Sequence, residues 1–240
     1  MTKKTQLEPA GKSSEPAPTT SNRTEIDAFL RHARQLAPVA DQARGRLIFA
    51  LDATLSRQPT WDMACALQGE MFTAAAAVGD LSVQLVYFRG HREIRASRWV
   101  NNAAGLRDLM VRIDCRGGLT QIQRVLGHAK KQAERKPLAA LVYVGDAMEE
   151  NVDRLCAIAG ELGLLNVKAF MFHDGPDPQA ERAFREIARL TGGAYLPFSA
   201  ASAADLKALL GAVATYAAGG RKALASAGSA TARRLLSDIR

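Results

Sequence analysis

The feature that most constrains this chain is the recurrence of short apolar runs separated by stretches of helical periodicity. Strand-like runs fall at residues 46–51, 82–88, 93–100, 139–144, 167–172 and 194–197, and helical spacing occupies 61–78, 103–113, 119–134, 150–162, 178–190 and 203–216. Helices recurring between apolar strands predict a mainly parallel sheet covered on both faces. One junction departs from that rule. Only Arg89-Gly90-His91-Arg92 separates the second run from the third, whereas a parallel crossover needs about a dozen residues or more. These two runs therefore form an antiparallel hairpin. The third run, from Glu93 to Val100, alternates apolar with polar and carries Glu93, Arg95 and Arg98, the pattern of an exposed edge strand. The predicted fold is α/β and doubly wound: a six-stranded, mostly parallel sheet with one antiparallel edge strand and helices on both faces.

At 240 residues the chain suits one well-filled domain with tails. Residues 1–22 are rich in Pro, Ser, Thr, Lys and Glu and nearly devoid of large apolar side chains, so a disordered N-terminal tail is expected. Within 23–43 the spacing of Ile26, Phe29, Leu30 and Leu36 predicts a leading amphipathic helix. The domain proper spans 44–218, and 219–240 is a basic C-terminal segment carrying Arg221, Lys222, Arg233, Arg234 and Arg240. That segment supplies part of the net charge of +8 and reads either as a solvated tail or as a surface for an anionic partner. No run approaches the roughly 20 apolar residues of a membrane span, and no apolar signal-peptide core follows Lys3 and Lys4. A cytoplasmic location without membrane attachment is expected. Cys65, Cys115 and Cys156 are odd in number and lack metal-ligand spacing, as befits reduced thiols.

Open α/β sheets hold their binding sites in the loops at the carboxyl ends of the strands. Three such loops are rich in oxygen. The first strand ends in Asp52-Ala53-Thr54-Leu55-Ser56, one carboxylate and two hydroxyls. Such hydroxyls also commonly cap the next helix by accepting from its first-turn amides. The second loop is Cys115-Arg116-Gly117-Gly118-Leu119-Thr120, where two glycines permit unusual backbone angles ahead of a hydroxyl. The third follows the apolar strand Leu141-Val142-Tyr143-Val144 and reads Gly145-Asp146-Ala147-Met148-Glu149-Glu150. There is no GxGxxG after the first strand, no GxxxxGK[ST] and no GxSxG, so the usual dinucleotide, triphosphate and acyl-transfer motifs are missing.

This trio of loops resembles the von Willebrand factor type A (VWA) domain, in particular its metal-ion-dependent adhesion site (MIDAS), and suggests a bacterial-type intracellular member of that family. The family carries Asp-x-Ser-x-Ser after its first strand, a Thr after a Gly-rich loop and an Asp after its fourth strand. Asp52, Thr54 and Ser56 match the first element, Thr120 the second and Asp146 the third. The likeness covers residues 44–218, the hairpin edge and Gly192-Gly193-Ala194-Tyr195 included. Thr54 stands where the family has Ser, and Gly145-Asp146-Ala147 replaces the more usual Thr-Asp-Gly; neither change removes an oxygen. The resemblance implies a metal bound by Asp52, Thr54, Ser56, Thr120 and Asp146, completed by a carboxylate from a protein partner.

The chemistry of the residues agrees. Magnesium takes six oxygens at near-octahedral geometry and keeps some of its waters, which suits two carboxylates with hydroxyls, and Mn2+ or Ca2+ can substitute. Arg57, Trp61, Arg116 and Glu149 are candidates for the partner-binding rim, against plainer roles: packing for Trp61 at the start of a helix, a solvated first helical turn for Glu149 and Glu150. His173-Asp174 ends the fifth strand and reaches toward the same rim. The expected function is a non-enzymatic, divalent-cation-dependent protein–protein interaction module. The alternatives are a Mg2+-dependent hydrolase or phosphoryl-transfer enzyme, for which no catalytic motif is found, and nucleic-acid binding through the basic C-terminal segment, for which no reader motif is found.

Overall fold

The computed structural model describes residues 45–199 and 202–239. The expected tail at 1–22 and the leading helix within 23–43 lie outside the described residues. Among the described residues six strands form one sheet: β1 (Arg46–Asp52), β2 (Ser82–Arg89), β3 (Glu93–Val100), β4 (Ala140–Gly145), β5 (Lys168–Asp174) and β6 (Ala194–Phe198). Their order is β3-β2-β1-β4-β5-β6. All neighbours are parallel except β2 and β3, which form the expected antiparallel hairpin at the edge.

Among the described residues eight α-helices cover the sheet: α1 (Gln58–Leu67), α2 (Gly69–Ala76), α3 (Ala103–Met110), α4 (Ile122–Arg135), α5 (Val152–Leu164), α6 (Pro178–Thr191), α7 (Ala203–Ala227) and α8 (Ala230–Asp238). The two-residue period of the strands divides the apolar side chains between two cores. Leu47, Phe49 and Leu51 of β1 join α1, α2, α3, α7 and α8 on one face, while Ile48 and Ala50 join α4, α5 and α6 on the other. Both faces are therefore dry, which is why the central strands read as continuous apolar runs.

Three expectations are revised. The helix expected over 61–78 is two helices meeting at Gln68, with Gly69, a poor helix former, at the junction. The helix expected from 119 starts at Ile122, because residues 117–121 are held in a loop that the site uses. The C-terminal segment is helical and packed, not a solvated tail: after a turn at Gly220 (φ 68°, ψ −165°), Leu224, Leu235 and Ile239 are buried in the first core. Glycine alone adopts such angles cheaply. Two of the segment's arginines, though exposed, donate to its backbone carbonyls, Arg221 to those of Leu236 and Ile239 and Arg233 to that of Gly228. Among the described residues no helix is long and apolar enough to cross a membrane.

Candidate functional site

Strand order reverses between β1 and β4, and a crevice opens there at the strands' carboxyl ends. Register fixes what faces it. Leu51 pairs with Val144 and Gly145 with His173, so Asp52, Asp146 and Asp174 stand at the ends of three consecutive strands. Asp52, Thr54, Ser56, Thr120, Asp146 and Glu149 line one cavity of about 180 Å³. All five expected metal-ligand residues, drawn from three separate segments, thus meet in one place.

Locally, each loop is tied down by the backbone. Asp52 Oδ1 accepts from the Thr54 amide at 2.7 Å, closing a tight turn. Thr54 Oγ1 and Ser56 Oγ lie 3.3 Å apart. Thr54 precedes a short 3-10 turn (Leu55–Arg57) without making a side-chain cap bond, and the start of α1 has none either. The capping role open to these hydroxyls is therefore not the one they play. The Arg116 amide donates to Ala53 O, and the Leu119 amide to Gly90 O, which draws the glycine loop against the first loop and the hairpin. Gly118 is required there: a Cβ would sit 2.3 Å from the backbone of Gly90.

Glu149 and Glu150, expected either at the outer shell or in a solvated helical turn, staple the third loop to the second. Glu149 Oε2 accepts from the Thr120 amide at 2.9 Å and from Thr120 Oγ1 at 3.1 Å, while the Glu149 amide donates to Thr120 Oγ1 at 3.2 Å. A hydroxyl has one proton and two lone pairs, so one lone pair of Thr120 stays uncommitted. Glu150 caps α4, accepting from the amides of Ile122 and Gln123, an anion at a helix N-terminus. His173 is buried. Its Nε2 meets Asp146 O at 3.3 Å and its Nδ1 meets Tyr195 Oη at 2.8 Å; a carbonyl only accepts, so Nε2 is the donor to it. This holds the Asp146 main chain in place.

The electrostatics are those of a buried, anionic pocket. Burial pushes the Asp52 carboxyl up from 3.8 to about 6; hydrogen bonds from Thr54 pull the other way, Asp146 adds to the rise and Arg57 opposes it. Arg57, expected on the rim, instead turns into the site. Its Nε is 3.1 Å from Asp146 Oδ2, and its Nη1 is bound to Asp174 Oδ2. Trp61 is off the rim, 2% exposed and packed edge-on to Tyr87. Arg116 is exposed, as expected.

Sequence reasoning missed Thr60, which donates to Asp174 at 2.7 Å, and the apolar contribution of Leu55, which lines the cavity and is 64% exposed. It also missed the part Asp174 plays, although β5 ends on an acid just as β1 does. Among the described residues no three His, Cys, Asp or Glu side chains gather into a metal-binding group. The donors that converge include three hydroxyls. Two carboxylates and three hydroxyls are an all-oxygen set of the kind a hard divalent cation takes, and Asp52, desolvated and beside a second carboxylate, is an anion that such a cation would relieve.

No family model matches the sequence, and no curated protein does. The fold, in contrast, has many solved counterparts. A von Willebrand factor type A protein from Catenulispora acidiphila superposes with a TM-score of 0.57 at 15% identity, over 72% of this chain and 42% of that one. The SpRpn10 VWA domain gives 0.55 at 11% identity, over 68% and 92% respectively. An aerotolerance-related membrane protein from Bacteroides fragilis gives 0.50 at 15%, over 68% and 95%. The chain thus spans less than half of the first of these proteins and nearly all of the other two. At such identities the likeness concerns architecture: the chain has the Rossmann-like VWA fold.

Proposed function

We propose that this protein is a divalent-cation-dependent protein–protein interaction module. In this reading Asp52, Thr54, Ser56, Thr120 and Asp146 hold Mg2+, which accepts an acidic side chain from a protein partner. The observation that carries it is the convergence of these five oxygen-bearing residues, from three loops, on one cavity at the point where strand order reverses. Leu55 lines that cavity as an exposed apolar side chain, a surface suited to the residues around a partner's carboxylate. The fold, often one that mediates protein–protein interaction, is consistent with this role. Bound there, Mg2+ would supply an electrophilic position for a carboxylate oxygen.

Calorimetric titration of Mg2+ and Mn2+ into wild type, Asp52→Ala and Asp146→Ala tests the reading. Binding by wild type and its loss in both variants is expected; a wild type that binds neither ion refutes it. Glu149, a carboxylate within the cavity, favours a second reading, a Mg2+-dependent hydrolase in which it acts as base. Turnover of phosphate esters with Mg2+, abolished by Asp52→Ala, would replace the binding module with that enzyme.

A further inference from the structure

The side chain that best distinguishes this site is Arg57. It follows Ser56 directly, and its guanidinium, 15% exposed, lies between two carboxylates from different strands, Asp146 on the loop after β4 and Asp174 at the end of β5. The two arms of this bridge differ. Toward Asp174, Nη1 makes a hydrogen-bonded ion pair, and Thr60 Oγ1 supports the same carboxylate oxygen at 2.7 Å while lying 3.4 Å from Nη1. Toward Asp146, Nε stands 3.1 Å from Oδ2 but out of line for a hydrogen bond, so this buried N–H has no hydrogen-bond partner. The Asp146 arm is held by charge alone. The Asp174 arm is the anchor.

Asp146 is also one of the two carboxylates assigned to the metal. We infer that Arg57 is a tethered cation that competes with the divalent ion for Asp146 and so sets how tightly the site loads; this rests on the metal-site reading above. In the ion-free protein the guanidinium neutralises Asp146 and stops it facing Asp52 and Asp174 as a bare charge. When Mg2+ enters, the unaligned Nε contact gives way, and Arg57 stays pinned by Asp174 and Thr60 at the border of the site. A site whose binding-competent state is only partly populated binds its ion more weakly by that fraction. The device therefore holds the site to weaker, readily reversible loading than the bare ligand set would give. The charge balance supports this: Asp52, Asp146 and Glu149 line the cavity, and the one guanidinium that pairs with Asp146 is shared with Asp174, so the pocket stays anionic enough to draw a cation while its resting state is partly compensated.

The test is calorimetric titration of Mg2+ into the full chain and three variants. Arg57→Gln removes the competitor and is expected to tighten binding about tenfold, the figure for a ligand set freed from about 90% occlusion. Arg57→Lys keeps the charge but not the planar fork that spans two carboxylates, and is expected to fall between wild type and Arg57→Gln. Asp174→Asn removes the anchor, leaves Asp146 as the remaining carboxylate of the bridge, and is expected to weaken binding several-fold. All three variants keep the five proposed ligands, so a fold failure in one leaves two informative. Equal affinity in wild type and Arg57→Gln overturns this inference while the metal-site reading stands. A gain in Arg57→Gln with none in Arg57→Lys assigns the effect to net charge alone and also overturns it. Binding by none of the four proteins overturns the metal-site reading and this inference with it.

Discussion

Asp52 is the most exacting place to test the electrostatics of the site. Its carboxyl is 4% exposed and is pushed up from 3.8 to about 6, chiefly by burial. A folded-state value above the unfolded one means that the ionised side chain opposes folding. Stability from this group is fully present below the unfolded value and is lost as pH rises through about 6. A difference of about two pH units at about 1.4 kcal/mol each sets the cost at about 3 kcal/mol near pH 8. Asp52→Asn removes the charge yet keeps the oxygen that accepts from the Thr54 amide at 2.7 Å. In chelator the variant should therefore be more stable than wild type, by about 3 kcal/mol near pH 8 and roughly half as much near pH 5. For a domain of this size that is a rise of roughly 6–12 °C in Tm at the higher pH. Differential scanning calorimetry at the two pH values gives the answer. A variant less stable than wild type near pH 8, or a gain that does not shrink toward pH 5, would refute the reasoning. The sign is informative in itself, because a residue whose removal stabilises the ion-free fold is there for something other than the fold.

Two further outcomes follow from the same geometry. Gly118→Ala forces a Cβ to 2.3 Å from the Gly90 backbone, so the glycine loop must part from the hairpin; a lowered Tm together with weakened Mg2+ binding is expected, and thermal melts with a metal titration read both. Cys115, 7% exposed and with its thiol pushed up to about 11 by burial, should be alkylated by iodoacetamide near pH 8 well after the less buried Cys65 and Cys156, as peptide mass spectrometry of a time course resolves.

How far the site could be read in advance depends on the range of the interactions that build it. Each expected ligand sits in a local pattern: an apolar run that stops on an acid at Asp52 and again at Asp146, and a hydroxyl after two glycines at Thr120. Those patterns are short-range and survive in the sequence. The late start of α4 does not, because it is set by what the segment touches. Thr120 stays out of the helix because Glu149, 29 residues on, binds both its amide and its hydroxyl, and α4 begins where Glu150 can cap it.

The sequence by itself determined the class of the architecture. Continuous apolar runs alternating with helical ones demand a sheet covered on both faces, and a four-residue link at 89–92 demands one antiparallel edge. Those constraints act within a few residues of each other or through chain length. Only the tertiary structure decided what the acids at the strand ends do. Arg57 and Asp174 are 117 residues apart, and nothing local distinguishes an arginine that faces solvent from one that bridges two carboxylates. Parallel pairing of β1, β4 and β5 brings three loops into one crevice, where burial and charge then settle which groups pair. Binary pattern fixes the scaffold because burial is a property of each segment; the state of the site is fixed by charges that meet only once the sheet has formed.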